Sequence, residues 1–116
     1  MIICVRILYI TMNILPVEVK QKKESGESFV LLDVREEWEY QLAHIPDSIL
    51  IPLGEIARRF SELEKDEEII TLCHHGMRSA SAQSFLMRSG FLNVKNMTGG
   101  IDAYSLTADP AIPRYR

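Results

Sequence analysis

Cysteine is scarce in this chain, with two residues, Cys4 and Cys73, among 116. The two could form one disulfide, but a chain of this length can build a core without it and no secretory context is visible. A reducing, cytoplasmic setting is therefore expected. No apolar run approaches the ~20 residues that span a bilayer. The first ten residues are apolar, but Arg6 interrupts them and no small-residue cleavage site follows. That argues for a first or edge strand over a secretory leader. Basic clustering is absent too: 13 Lys and Arg are mixed with 16 Asp and Glu, for a formal net charge of −3. Nucleic acid and anionic membranes attract clustered cations, so neither is an expected partner. Glycine and proline number six and five, too few and too scattered to form a linker, and no repeat is visible. One domain over residues 1–116 is expected, its core spanning about residues 10–106 between an N-terminal strand and an irregular C-terminal tail.

What is present alternates in period. Apolar β-formers fill residues 2–10, and Pro16 suits the first turn of a helix ending near Gly26. Residues 29–34 form a short continuous apolar run, the signature of a strand buried on both faces. A helix from about Glu36 places Trp38 and Leu42 on one face. Residues 48–51 read as a strand closed by Pro52. Leu53, Ile56, Ala57, Phe60 and Leu63 then recur at helical spacing. A strand over 68–73 runs into a helix over 79–89, with Ala82, Phe85 and Leu86 inward and Gly90 as its stop. Residues 94–97 form a last strand, followed by Gly99-Gly100 and a short helix through Tyr104. Pro110 and Pro113 mark the irregular tail. Strands alternating with helices predict a parallel sheet covered on both faces, with the reactive site outside the carboxyl ends of its strands.

Cys73 sits at such an end. A short Gly-containing loop separates it from the next helix, and loop amides plus a helix N-terminus make an anion cradle. That field stabilises a thiolate. Arg78 is always cationic and adds a fixed positive charge beside the pocket. The alternative is a buried, inert cysteine. Cys73, His74 and His75 invite a metal reading, but adjacent residues rarely converge on one ion and structural zinc needs four ligands. No metal site is expected. His44 reads as a hydrogen-bonded structural histidine, Asp33 and Arg35 as a buried ion pair, and Cys4 as inert. The position of Met77, at the pocket rim or packed inward, stays open.

Four blocks carry a resemblance: Leu31-Leu32-Asp33-Val34-Arg35-Glu36, His44-Ile45-Pro46-Asp47-Ser48, Cys73-His74-His75-Gly76-Met77-Arg78-Ser79 and Gly99-Gly100-Ile101. In this order and spacing they resemble the rhodanese domain. The pattern departs from the family's at Ala43, Asp47 and Tyr104, which are structural positions. The resemblance implies an α/β fold with a five-stranded, mostly parallel sheet and helices on both faces. It implies a sulfurtransferase in which Cys73 is the nucleophile, taking a sulfane sulfur from a donor such as thiosulfate as a persulfide. A thiol or carrier protein would accept that sulfur. It further implies that His74, His75, Gly76, Met77, Arg78 and Ser79 form the substrate-binding loop and that no cofactor is needed. Two rivals remain, a rhodanese-like binding module without turnover and a phosphatase or arsenate reductase on the same fold. Related phosphatases place five residues between Cys and Arg, whereas four separate Cys73 from Arg78 here. A tighter ring suits one added sulfur atom better than the three equatorial oxygens of a phosphoryl group.

Overall fold

The computed structural model describes residues 12–116. The strand expected over residues 2–10, and Cys4 with it, lies outside the described residues. The chain runs β1 (Asn13–Ile14), α1 (Pro16–Glu24), β2 (Val30–Asp33), α2 (Glu37–Leu42), β3 (Ile49–Leu50), α3 (Ile56–Arg59), β4 (Ile69–Leu72), α4 (Met77–Arg88), β5 (Val94–Met97) and α5 (Gly100–Thr107). The five strands form one sheet in the order β1-β5-β4-β2-β3, and every neighbouring pair is parallel.

Side-chain alternation along the strands splits the core in two. Leu31, Ile70, Leu72 and Met97 pack with Val19 of α1 and with Ile101 and Tyr104 of α5 on one face. Leu32, Ile69, Val94 and Cys73 pack with Ile56 of α3 and with Ala82 and Leu86 of α4 on the other. Because both faces are covered, β4 is buried at all four positions. This explains why β2 and β4 read as continuous apolar runs rather than alternating ones.

Three local expectations are revised. The amphipathic stretch after Pro52 is a broken spiral, with three-residue 3₁₀ turns (Leu53–Glu55 and Phe60–Glu62) on either side of α3. A 3₁₀ turn winds tighter than an α turn, so the apolar face drifts and Ala57 ends exposed. In α2, Trp38 and Leu42 face solvent, 59% and 56% exposed, and the buried residue is Glu39 at 3%. α4 begins at Met77, two residues ahead of expectation. Its N-cap Gly76 adopts φ +111°, which turns the loop sharply enough to start the helix early.

The carboxyl end of β2 is fixed by an ion pair. Arg35 is the largest fully buried side chain, and its Nη2 lies 2.7 Å from Asp33 Oδ2. Arg35 Nε also donates to Asp33 Oδ1 at 2.9 Å, while Nη2 donates to the Ala43 carbonyl at 2.8 Å. Nη1 donates to the Glu39 carbonyl at 3.3 Å and to the Tyr115 hydroxyl at 3.0 Å. One guanidinium thus joins β2, the end of α2 and the C-terminal tail. Truncating one partner of a buried pair leaves the other charge uncompensated and costs about 3–5 kcal/mol. Arg35→Met should therefore lower unfolding free energy by that order in urea denaturation. Arg59→Ala, which removes surface pairs with Glu55 and Glu62, should leave the urea midpoint close to that of the wild type.

Candidate active site

β4 delivers Cys73 to the carboxyl edge of the sheet, where residues 73–76 turn into α4. Cys73 is 1% exposed. Gly76 N–H donates to Cys73 Sγ at 3.0 Å. The Ser79 hydroxyl, one turn into α4, lies 3.3 Å from the same sulfur. Sγ therefore meets a backbone amide and a hydroxyl at the amino end of a twelve-residue helix, where the peptide dipoles favour negative charge. Ser79 Oγ also lies 2.6 Å from Asn96 Oδ1 and 3.2 Å from the Gly76 carbonyl. Asn96 Nδ2 donates to that same carbonyl at 3.1 Å, so a strand residue of β5 ties down the loop. Thr71 Oγ1 lies 3.0 Å from the Ser79 carbonyl and 3.3 Å from Asn96 Oδ1. Asn96 and Thr71 were not singled out from the sequence. Their only signal was a polar residue inside a buried strand.

The loop is held from outside by α5. Ile101 N–H donates to the Cys73 carbonyl at 2.8 Å and Asp102 N–H to the His74 carbonyl at 3.2 Å. Such contact requires a bare Cα: a Cβ on Gly100 would lie 2.4 Å from the carbonyl oxygens of both Cys73 and His74. This close approach is the physical role of the Gly-Gly block.

The remaining loop side chains diverge. His74 stacks on Tyr115, with ring centroids 4.2 Å apart, and on His75 at 4.0 Å. Its Nε2 lies 2.9 Å from the Tyr115 carbonyl, which can only accept, so Nε2 carries the proton. Burial, with help from the neighbouring His75, pushes the His74 pKa below the usual imidazole value. Met77 is 83% exposed, which places it at the rim. His44 makes a hydrogen bond through Nδ1 to the Tyr40 carbonyl at 2.9 Å and stacks on the Tyr40 ring, on the exposed surface.

Arg78 is committed to a carboxylate. Its Nη1 and Nη2 donate to Glu39 Oε1 and Oε2 at 2.7 and 2.9 Å, a bidentate fork that neutralises its charge. Of the two roles open to Arg78, contact with donor or support of the loop, this geometry favours support. Glu39 also accepts from the Tyr115 hydroxyl at 2.6 Å and from Glu36 N–H at 3.0 Å. Arg78 foremost, with these two donors, holds the Glu39 carboxyl down at about 2 despite its burial. Burial and the Glu39 carboxylate push the Tyr115 phenol up to about 12. Asp33, Arg35, Tyr115, Glu39 and Arg78 thus form one continuous network from the sheet to α4.

Asp102, on the first turn of α5, joins His74 and His75 in a group whose candidate ligand atoms lie within 4.8 Å of one another. Among the described residues no helix is long and apolar enough to cross a membrane.

Comparisons with known proteins agree with this architecture. A sequence profile described as the rhodanese-like domain matches residues 15–107. Bacillus subtilis YrkF, named for a proposed sulfur-carrier role, is 46% identical over 82 residues, which cover 71% of this chain and 44% of that protein. The chain therefore spans less than half of YrkF. The thiosulfate sulfurtransferase GlpE of Pseudoalteromonas translucida is 38% identical over 88 residues, covering 76% of this chain and 84% of that one. A crystal structure of a rhodanese-related protein from Thermoplasma volcanium superposes with a TM-score of 0.75 at 32% identity, covering 83% of this chain and 92% of its own.

Two outcomes follow from the geometry. Gly100→Ala should destabilise the fold by more than about 1 kcal/mol, because the new Cβ meets backbone and φ is positive. Gly54→Ala, with nothing within 4 Å of its added Cβ, should change stability by less than about 1 kcal/mol in the same urea titration. The Glu39 pair makes stability depend on acid. A carboxyl held below its unfolded value of 4.5 stabilises the fold fully above that pH and loses the contribution as pH falls toward 2. Wild type should exceed Glu39→Gln by up to about 3 kcal/mol at pH 7. The gap should narrow steadily from pH 5 to pH 2, and a constant gap would assign the loss to packing alone.

Proposed function

The chain belongs to the rhodanese-like domain family, and from that premise we propose that it is a sulfurtransferase carrying a sulfane sulfur on Cys73. The observation that supports this most is the donor set at Sγ, the Gly76 amide at 3.0 Å and the Ser79 hydroxyl at 3.3 Å, on a sulfur at the amino end of α4. A thiolate needs such donors in order to form, and a persulfide anion needs them in order to persist. In the first step the Cys73 thiolate attacks the outer sulfur of thiosulfate. The S–S bond of the donor breaks, sulfite leaves with the electron pair, and a Cys73–S–S⁻ persulfide remains. In the second step an acceptor nucleophile, cyanide in an assay or a thiolate in the cell, attacks the terminal sulfur. The Cys73–sulfur bond then breaks and returns the electron pair to Sγ. No redox partner enters, since oxidation of the acceptor balances reduction of the persulfide.

In this reading the backbone of loop residues 74–79 would surround the transferred atom, with the Gly76 amide already at Sγ, and Arg78 holds α4 in place through Glu39. The short spacing from Cys73 to Arg78 favours sulfur over phosphoryl transfer. The presence of the cysteine itself favours turnover over a binding module.

Incubation with thiosulfate should add one sulfur atom to the intact mass, mapped by peptide analysis to Cys73. Cys73→Ser should abolish the gain and Cys4→Ser should retain it. Sulfur mapped to Cys4 would overturn the assignment, as would Cys73-dependent release of phosphate from an activated aryl phosphate without sulfur transfer.

A further inference from the structure

We propose that His74, His75 and Asp102 form a site for a divalent transition ion of the zinc class on the outer wall of the Cys73 loop. The fold brings the three together through the backbone. Asp102 N–H is bonded to the His74 carbonyl, so the first turn of α5 is docked on the dipeptide that follows the cysteine. One ring nitrogen from each histidine and one Asp102 oxygen lie within 4.8 Å of one another. His75 Nε2 is 3.8 Å from Asp102 Oδ2. Two ligands of a tetrahedral ion at about 2.1 Å from the metal stand about 3.4 Å apart, close to the present separation of this pair.

The supports that orient metal ligands are in place. His74 spends Nε2–H on the Tyr115 carbonyl, which fixes the ring and leaves Nδ1 as its bare nitrogen. Asp102 accepts from Arg114 Nε through Oδ1 at 2.8 Å, and Oδ2 has the longer contact, 3.3 Å from Arg114 Nη2. Oδ2 is thus the oxygen turned toward His75. Two imidazoles and a carboxylate suit zinc, copper or nickel better than calcium or magnesium. Three protein ligands leave an open position for water.

Two adjustments accompany binding. His75 must swing out of its stack on His74, and its side chain is 66% exposed. Arg114, 55% exposed, must yield part of an ion pair that is worth little at the surface. The second adjustment gives the site a distinctive signature, because Arg114 competes with the ion for Asp102.

The test is calorimetric titration of Zn²⁺ into the Cys4→Ser/Cys73→Ser protein, so that thiols contribute nothing. One ion per chain should bind. Adding His75→Ala or Asp102→Asn should weaken that binding at least tenfold. Adding Arg114→Ala should tighten it severalfold, an effect that loss of fold could not produce. Absence of stoichiometric binding in the parent would overturn the site, as would equal affinity in the His75 and Asp102 variants. The titration uses a protein without Cys73, so its outcome is separate from that of the sulfur-transfer experiment.

Discussion

A guanidinium with no access to water must find an acceptor for its N–H groups or the fold does not close, and Arg35 is in that position. Its partners are the Asp33 carboxylate, the carbonyls of Glu39 and Ala43, and the Tyr115 hydroxyl. They come from the end of β2, from α2 and its C-cap, and from the tail, so satisfying one charge fixes where three segments meet. Tyr115 then passes the constraint outward, donating to Glu39, which holds Arg78 on the first turn of α4. The helix that presents its amino end to Cys73 is therefore anchored, through three side chains, to the end of β2, the strand beside β4 in the sheet. A buried pair of this kind adds little net stability against an apolar substitute. What it supplies is registration, since guanidinium forks accept few geometries.

The sheet side of the active loop is held by a different chemistry. Asn96 and Thr71 are polar residues in strands that otherwise bury only apolar side chains, and both point their hydrogen bonds at Ser79 or Gly76. The loop is consequently braced by a strand pair beneath, by α5 at its outer wall and by the tail against His74. Gly76 within the loop and Gly100 beside it take positive-φ conformations that a side chain would resist.

The sequence carried the scaffold well and the wiring poorly. Four strands emerge from apolar runs, and helices expected from Pro16 to near Gly26 and over 79–89 emerge from end signals and, for the second, helical spacing; the structure places them at Pro16–Glu24 and Met77–Arg88. The Asp33–Arg35 pair was legible as two opposite charges at the end of an apolar run. Glu39 was not: in α2 the apolar face is exposed and the carboxylate is buried, an inversion set by Arg78, which lies 39 positions away. Tyr115 was hidden for the same reason. Its tail looks irregular, and nothing nearby in sequence states that its ring covers His74. Asp102 escaped notice as a ligand because its proximity to the two histidines follows from the docking of α5. Helical spacing likewise failed after Pro52, where alternating 3₁₀ and α turns follow neither period.

Ser79 carries a single hydroxyl hydrogen, yet three acceptors surround it: Cys73 Sγ, the Gly76 carbonyl and Asn96 Oδ1. The hydrogen can serve one at a time, and which one is decided by where negative charge resides. A thiolate at Sγ draws it inward; were the charge to move one sulfur outward, as in the proposed persulfide, Asn96 would become the better host. In the sulfur-transfer cycle proposed above, rotation about one C–O bond would re-solvate the site between the two steps and ask nothing of the backbone. The pocket thus behaves as a rigid solvent with one movable dipole.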